Sequence, residues 1–177
     1  MPQESSSSHE SRTLFEGFVT LTEESVPTAA GPYPYVTVHT RPLSVIILPQ
    51  RSDGKWLVTK EWRHPVKRFV YSFPGGLVDD NETPLEASHR ELLEETGFAA
   101  TRCTLLGTCL PLPGLLDQTM SVVLAHDVLY RQEPKTDDIE VISYQFFSME
   151  DLQELFRTSH DTDAMALAAL ALLWIKS

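Results

Sequence analysis

Positive charge is scarce in this sequence: 177 residues carry 14 lysines and arginines against 25 aspartates and glutamates, a formal net charge of −11. A duplex-binding surface needs a basic stripe or patch, so nucleic acid is not an expected partner. A polyanionic small molecule would have to be met by local arginines, lysines or metal ions. Cysteine is scarcer still. Cys103 and Cys109 lie in a segment that otherwise reads as strand, and no second Cys/His pair stands at zinc-ligand spacing. Two buried or half-buried thiols in a reducing, cytoplasmic setting are expected. Long apolar runs are missing too. The most apolar, AMALAALALLWI from Ala164 to Ile175, falls short of the ~20 residues of a membrane span and sits behind Asp161 and Asp163. It reads as a core helix, with no membrane partner. The opening MPQESSSSHES lacks both a basic n-region and an apolar h-region, so residues 1–11 read as a disordered tail and not as a signal peptide. With no internal repeat and no linker, residues 12–177 are expected to be one domain.

Past the tail, TLFEGFVTLTEE and YPYVTVHT alternate apolar and polar residues around the break SVPTAAGPYP, which predicts an N-terminal strand pair with a long connection. LSVIILP, bounded by Pro42 and Pro49, predicts a buried strand, and Asp53-Gly54 a turn. WLVTKEWRHPV, RFVYSFPGG, CTLLGTCLPL, QTMSVVLAHDV and IEVISYQFFS are further strand candidates. Two closing helices are expected, one opening at Ser148 and one near Thr162. Strands with a helix among them and helices at the end indicate an α/β (α+β) sandwich.

The helix within NETPLEASHRELLEETGF is fully punctuated. Thr83 suits the N-cap, Pro84 the first helical position, Glu86 a capping box and Gly97 a left-handed stop. At ~100° per residue Glu91, Glu94 and Glu95 share one face, while Leu85, His89 and Leu92 share another, expected to be the packed one. The stripe is costly where it stands. Glu91 and Glu95 repel as an i, i+4 pair by roughly 0.2–0.5 kcal/mol, and both oppose the helix dipole. Either this is a solvated acidic face or a hard cation sits against it, and carboxylates without His or Cys suit Mg²⁺ or Mn²⁺.

Counting from Gly76, five residues lead to Glu82, seven more to Arg90, and Glu91, Leu92, Leu93, Glu94, Glu95, Thr96, Gly97 and Phe98 follow. This resembles the Nudix box, G-x5-E-x7-R-E-U-x-E-E-x-G-U with U bulky and apolar, at every specified position. The resemblance implies a sandwich of a mixed sheet between helices, and divalent-metal-dependent hydrolysis of a nucleoside diphosphate linked to another moiety. It implies Glu91 and Glu95 as principal metal ligands, and Glu94 as a further ligand or the group orienting the attacking water. The Gly75 carbonyl would complete the shell, Arg90 would hold the glutamates, and Glu82 would brace the loop.

The likeness continues outside the box. KEWRHPVKRFVYSFPGGLVDDNE and LPGLLDQ resemble segments of the ADP-ribose pyrophosphatases and related nucleotide-sugar hydrolases. That implies a substrate such as ADP-ribose, with Arg63 on a phosphate or a plain surface charge of its strand, Trp62 stacked on the base or packed in the core, and Gln118 on the substrate side. Leu112 and Gln118 depart from the Ser and Glu usual in that group, which bears on the substrate. Asp137, Asp138 and Glu140 offer a general base, with Asp138 favoured, or are plain solvated turn acids. The group also implies a homodimer built by the N-terminal strands, for which Phe15, Phe18 and Tyr35 are available. The alternatives are hydrolysis of dinucleoside polyphosphates or nucleoside triphosphates, or a non-catalytic nucleotide sensor. The long N-terminal strand pair and the LPG element weigh against the first, and the intact box against the second.

Overall fold

The computed structural model describes residues 11–135 and 142–176. Residues 1–10 of the expected tail, and Asp137, Asp138 and Glu140, lie outside the described residues, whereas Ser11 already begins the first strand. Two compact units result. Described residues up to Pro42 form one with Leu110–Gln118; Leu43–Cys109 and the described residues from Thr119 form the other.

The first unit is an antiparallel sheet of β1 (Ser11–Glu16), β2 (Thr20–Thr28) and β3 (Gly31–His39), in that order. The expected strand pair is there as β2 and β3, but the long connection is not. Most of SVPTAAGPYP is itself paired, with Thr28 opposite Gly31 and Pro27 opposite Pro32. Three prolines are tolerated because β3 is an edge strand and β1 pairs only with Thr20–Glu24, short of Pro27. Loop residues 110–118 are tied to this sheet. The Tyr35 hydroxyl donates to the Gly114 carbonyl at 2.9 Å, and His39 bridges Thr22 at 2.8 Å and Asp117 at 2.5 Å.

The second unit shows the α/β/α layering directly. Its four-stranded mixed sheet runs β7 (Gly75–Leu77), β4 (Leu43–Pro49), β10 (Thr119–His126), β9 (Arg102–Cys109), with β4 and β10 parallel. Beside it lie β12 (Ile142–Phe147), β5 (Trp56–Arg63) and β6 (Arg68–Ser72), and a short pair of β8 (Phe98–Ala99) and β11 (Leu129–Tyr130). LSVIILP reads as a continuous apolar run because both faces of β4 are covered. Ile46 and Leu48 join Trp56, Val58, Met120 and Val122 under α2 (Met149–Thr158) and α3 (Ala164–Lys176). On the opposite face Ile47 joins Leu57 and Leu92 of α1 (Pro84–Thr96), and Val45 meets Val78 and Ala87.

Helix α1 has the expected ends: the Thr83 capping box is formed, Pro84 opens the helix, and Gly97 closes it at φ 76°. Its packed face differs from the expectation. Ala87, Ser88, Leu92 and Thr96 are buried, while Leu85 and His89 are exposed. At the start of α3 the cap is Asp163, whose carboxylate accepts from the Met165 N–H at 2.9 Å. The helix buries Ala166, Ala169, Leu170 and Leu173 and leaves Trp174 and Ile175 exposed. Among the described residues no helix is long and apolar enough to cross a membrane, and Cys103 and Cys109 are free thiols, both raised in pKa by burial.

Candidate active site

The candidate site forms where β7 meets α1, and two missing side chains shape it. Gly75 and Gly76 pair with Ile46 and Val45 of β4. A Cβ on Gly75 would lie 2.2 Å from the Val45 carbonyl oxygen, so a side chain there would push β7 off the sheet. A Cβ on Gly76 would lie 2.3 Å from Glu91 Oε1. The Glu91 carboxylate therefore fills the space a side chain at 76 would need. Glu95 reaches the same strand, its Oε2 accepting the Gly75 N–H at 3.1 Å. The stripe does not face away from the packed side, as its helical angle suggested; Glu91 and Glu95 turn inward because the glycines make room.

Arg90 gathers the acids. Its Nε and Nη2 donate to the two oxygens of Glu82 at 3.0 and 2.8 Å, and Nη1 donates to Glu91 at 2.8 Å and Glu94 at 3.2 Å. Nη2 also donates to the Leu77 carbonyl at 3.0 Å. Glu82 in turn accepts the Asp79 N–H at 3.0 Å, fixing the loop before the helix. Hydrogen bonding to Glu82, then to Glu91 and Glu94, raises the Arg90 pKa further against the opposing effect of partial burial. This guanidinium offsets the like-charge cost of the stripe. The side chains of Glu82 and Glu91 are 16% and 13% exposed, while Glu94 is open at 45%.

Among the described residues no three acids, histidines or cysteines already converge as a cation cage. The donors at the start of β7 are nonetheless of the right kind. They are carboxylate oxygens, two of them brought against the side-chain-free start of β7, with neither thiolate nor imidazole among them, which fits a hard divalent cation.

The hairpin of β5 and β6 separates two residues that the sequence paired. Successive strand residues point to opposite faces. Trp62 shares a face with Trp56 and Val58, the α2/α3 side, and packs edge-on against Phe69 with centroids 5.4 Å apart. Arg63 shares the other face with Leu57, which packs against Leu92 of α1. Arg63 thus lies on the face of β5 that turns toward the box helix, and Trp62 does not. The Arg63 Nη2 pairs with Glu61 at 2.6 Å and more distantly with Asp163 at 3.9 Å. Glu61 and Asp163 were not singled out as site residues. Glu61 could have been found from strand alternation in EWR; Asp163 could not, because only the fold brings the cap of α3 to this hairpin.

Gln118 belongs to the first unit and is 8% exposed. Its amide donates to Thr40 Oγ1 at 2.9 Å and to the Arg41 carbonyl at 3.1 Å, ties that fix the loop to the end of β3. Asp138 lies outside the described residues. Phe15 and Phe18 are exposed at 56% and 90% on the N-terminal sheet and its first turn.

The pattern of the NUDIX domain matches residues 40–168. The ADP-ribose pyrophosphatase of Bacillus subtilis strain 168 is 29% identical over 136 residues, covering 76% of this chain and 74% of that protein. The ADP compounds hydrolase NudE of Escherichia coli strain K12 is 29% identical over 135 residues, covering 75% and 72%. A solved crystal structure of an ADP compounds hydrolase superposes with a TM-score of 0.79 over 98% of this chain and 97% of the other, at 23% identity, a likeness of fold. With the domain matched over residues 40–168 and a box whose carboxylates are gathered at the glycines of β7, the chain belongs to the Nudix hydrolase family.

Proposed function

We propose that the chain hydrolyses the diphosphate bond of ADP-ribose or another nucleoside diphosphate sugar, giving a nucleoside monophosphate and a sugar phosphate. The observation that carries this reading is the delivery of Glu91 and Glu95 to Gly75 and Gly76 of β7, with Glu94 open beside them. The substrate class is supported by the relatives, one an ADP-ribose pyrophosphatase and one an ADP compounds hydrolase.

Glu91 and Glu95, with Glu94 and the Gly75 carbonyl, would hold Mg²⁺, with Mn²⁺ as a substitute. The bound cation supplies neutralisation of the diphosphate oxygens and acidification of water. The chain's own part is positional and protolytic. Arg90 keeps the glutamates from repelling one another out of place, and Arg63 meets a substrate phosphate. Glu94 orients the attacking water and Asp138 takes its proton. A bond forms from the water oxygen to one phosphorus as the bridging P–O bond breaks and its electrons leave with the other phosphate. Trp62 is left out of substrate contact in this reading, and Gln118 acts by holding its loop.

Residues 12–177 are proposed to serve as one catalytic domain, working in the cytoplasm as a homodimer joined through the sheet that exposes Phe15 and Phe18. Release of monophosphate from a panel of nucleotide sugars and dinucleoside polyphosphates with Mg²⁺ tests the reading. Turnover of ADP-ribose or another nucleotide sugar ahead of the polyphosphates is expected, and silence on every diphosphate with Mg²⁺ and with Mn²⁺ would sink it.

A further inference from the structure

Glu61 is a carboxylate at 6% exposure, and the chemistry proposed above does not use it. Burying such a group is unfavourable unless it is paired and hydrogen-bonded, and an aliphatic residue beside Leu57 would pack there without that penalty. Its Oε1 accepts the hydroxyl of Thr59, which is itself fully buried, at 2.5 Å, and its Oε2 lies 2.6 Å from Arg63 Nη2. Residues 59, 61 and 63 alternate onto one face of β5, so a short relay runs from a fixed hydroxyl through a fixed carboxylate to the guanidinium. Asp163 stands behind the same nitrogen, held by the Ser72 hydroxyl at 3.4 Å and by its capping bond to Met165.

The Arg63 side chain is 46% exposed, and its nearest approach to each acid is through Nη2. The guanidinium is held there while much of the side chain stays open to solvent. We infer that Glu61 is a positioning residue: it fixes the Arg63 guanidinium before a phosphate of the nucleoside diphosphate arrives, so that binding need not order a long side chain. The identity of the ligand rests on the proposed hydrolysis, whereas the hold of Glu61 on Arg63 does not.

Steady-state kinetics with ADP-ribose and Mg²⁺ test one part. Glu61→Gln is expected to raise KM about tenfold with kcat within about threefold of wild type, and to add nothing in an Arg63→Ala background. Effects of the two substitutions that simply add, or a loss that falls on kcat, overturn the inference. A second readout is independent of turnover: the Nε–H resonance of Arg63, assigned by its loss in Arg63→Lys, is expected to be motionally restricted in wild type and averaged in Glu61→Gln. Unchanged mobility overturns the inference even if the enzyme is active. Should wild type cleave no diphosphate, the proposed substrate falls while the resonance still decides the role of Glu61. Should Glu61→Gln fail to fold, the near-isosteric Thr59→Val releases the other end of the relay. It is expected to loosen Arg63 in the same sense and raise KM by about threefold, and no change in either overturns the inference.

Discussion

Arg90 and Arg63 are the same residue type facing carboxylates in the same unit, and they are held very differently. Arg90 uses all three guanidinium nitrogens on Glu82, Glu91, Glu94 and the Leu77 carbonyl, and its side chain is 28% exposed. Arg63 is engaged by Glu61 and, more distantly, by Asp163, in both cases most closely through Nη2, with its side chain 46% exposed. An arginine whose fork is saturated by its own chain can only organise; one held by fewer acceptors can still bind. The residue letter does not separate these roles, and the number of acceptors brought to it does.

The largest expected effect comes from breaking the saturated one. Arg90→Ala leaves Glu82 and Glu91 half-buried without their counter-charge, and removing one partner of a buried pair costs about 3 kcal/mol or more. Urea unfolding should record that loss together with a collapse of turnover. Arg63→Ala strips the nearest counter-charge from one buried carboxylate, Glu61, which keeps the Thr59 hydroxyl as a donor, and should cost less, about 1–2 kcal/mol, in the same measurement. Equal losses from the two would erase the distinction between them.

Next in size is the space Arg90 helps to fill. In Gly76→Ala the new Cβ falls at 2.3 Å from Glu91 Oε1, and the carboxylate must move while Arg90 holds it. A fall in kcat of about a hundredfold is expected, close to 2.7 kcal/mol in the barrier, with a raised Mg²⁺ requirement. Wild-type Mg²⁺ titration and turnover in this variant would show that Glu91 need not sit where the structure puts it.

Much of this was legible in the sequence, and for a physical reason. Thr83, Pro84, Glu86 and Gly97 are local signals, each acting within a turn of its own position, so the ends of α1 could be read directly. The Gly76–Phe98 register identified the box in the same way. What was not legible depends on neighbours that only folding supplies. Angular position on α1 put Glu91 and Glu95 on the open side, whereas the glycines of β7 draw them inward. Leu85 and His89, apolar or half-apolar by type, stay exposed, with His89 Nδ1 4.0 Å from the Cys103 sulfur. Pro27, Pro32 and Pro34 argued for a loop, yet the hairpin tolerates them where no ladder bond is needed. Trp62 and Arg63, adjacent in the chain, part because a strand alternates.

A smaller effect is expected from the half-held arginine itself. Arg63→Ala should raise KM for ADP-ribose about tenfold, near 1.4 kcal/mol, with little change in kcat if the contact is made equally in ground and transition states. Trp62→Leu, on the opposite face, should leave KM within about twofold. A larger rise in KM for the Trp62 variant than for the Arg63 variant would reverse the assignment of faces.

A third arginine completes the series and carries the smallest prediction. Arg102 faces an imidazole: its Nη2 lies 3.4 Å from His126 Nδ1, and His126 Nε2 lies 3.1 Å from Thr104 Oγ1. A guanidinium can only donate, so Nδ1 accepts and Nε2 carries the proton given to the threonine. Burial, then the Arg102 charge, lower the His126 pKa below its ordinary 6.5. The unfolded chain therefore binds this proton more readily than the folded one. Stability from this site is complete above about pH 6.5 and declines as pH falls from there to the folded value, below which the loss is constant. His126→Gln should flatten that part of the pH–stability curve in urea melts, leaving the carboxylate-driven loss at lower pH in place. A steeper decline in the variant would mean that the imidazole is stabilised by protonation, and that Arg102 is not the neighbour that sets it.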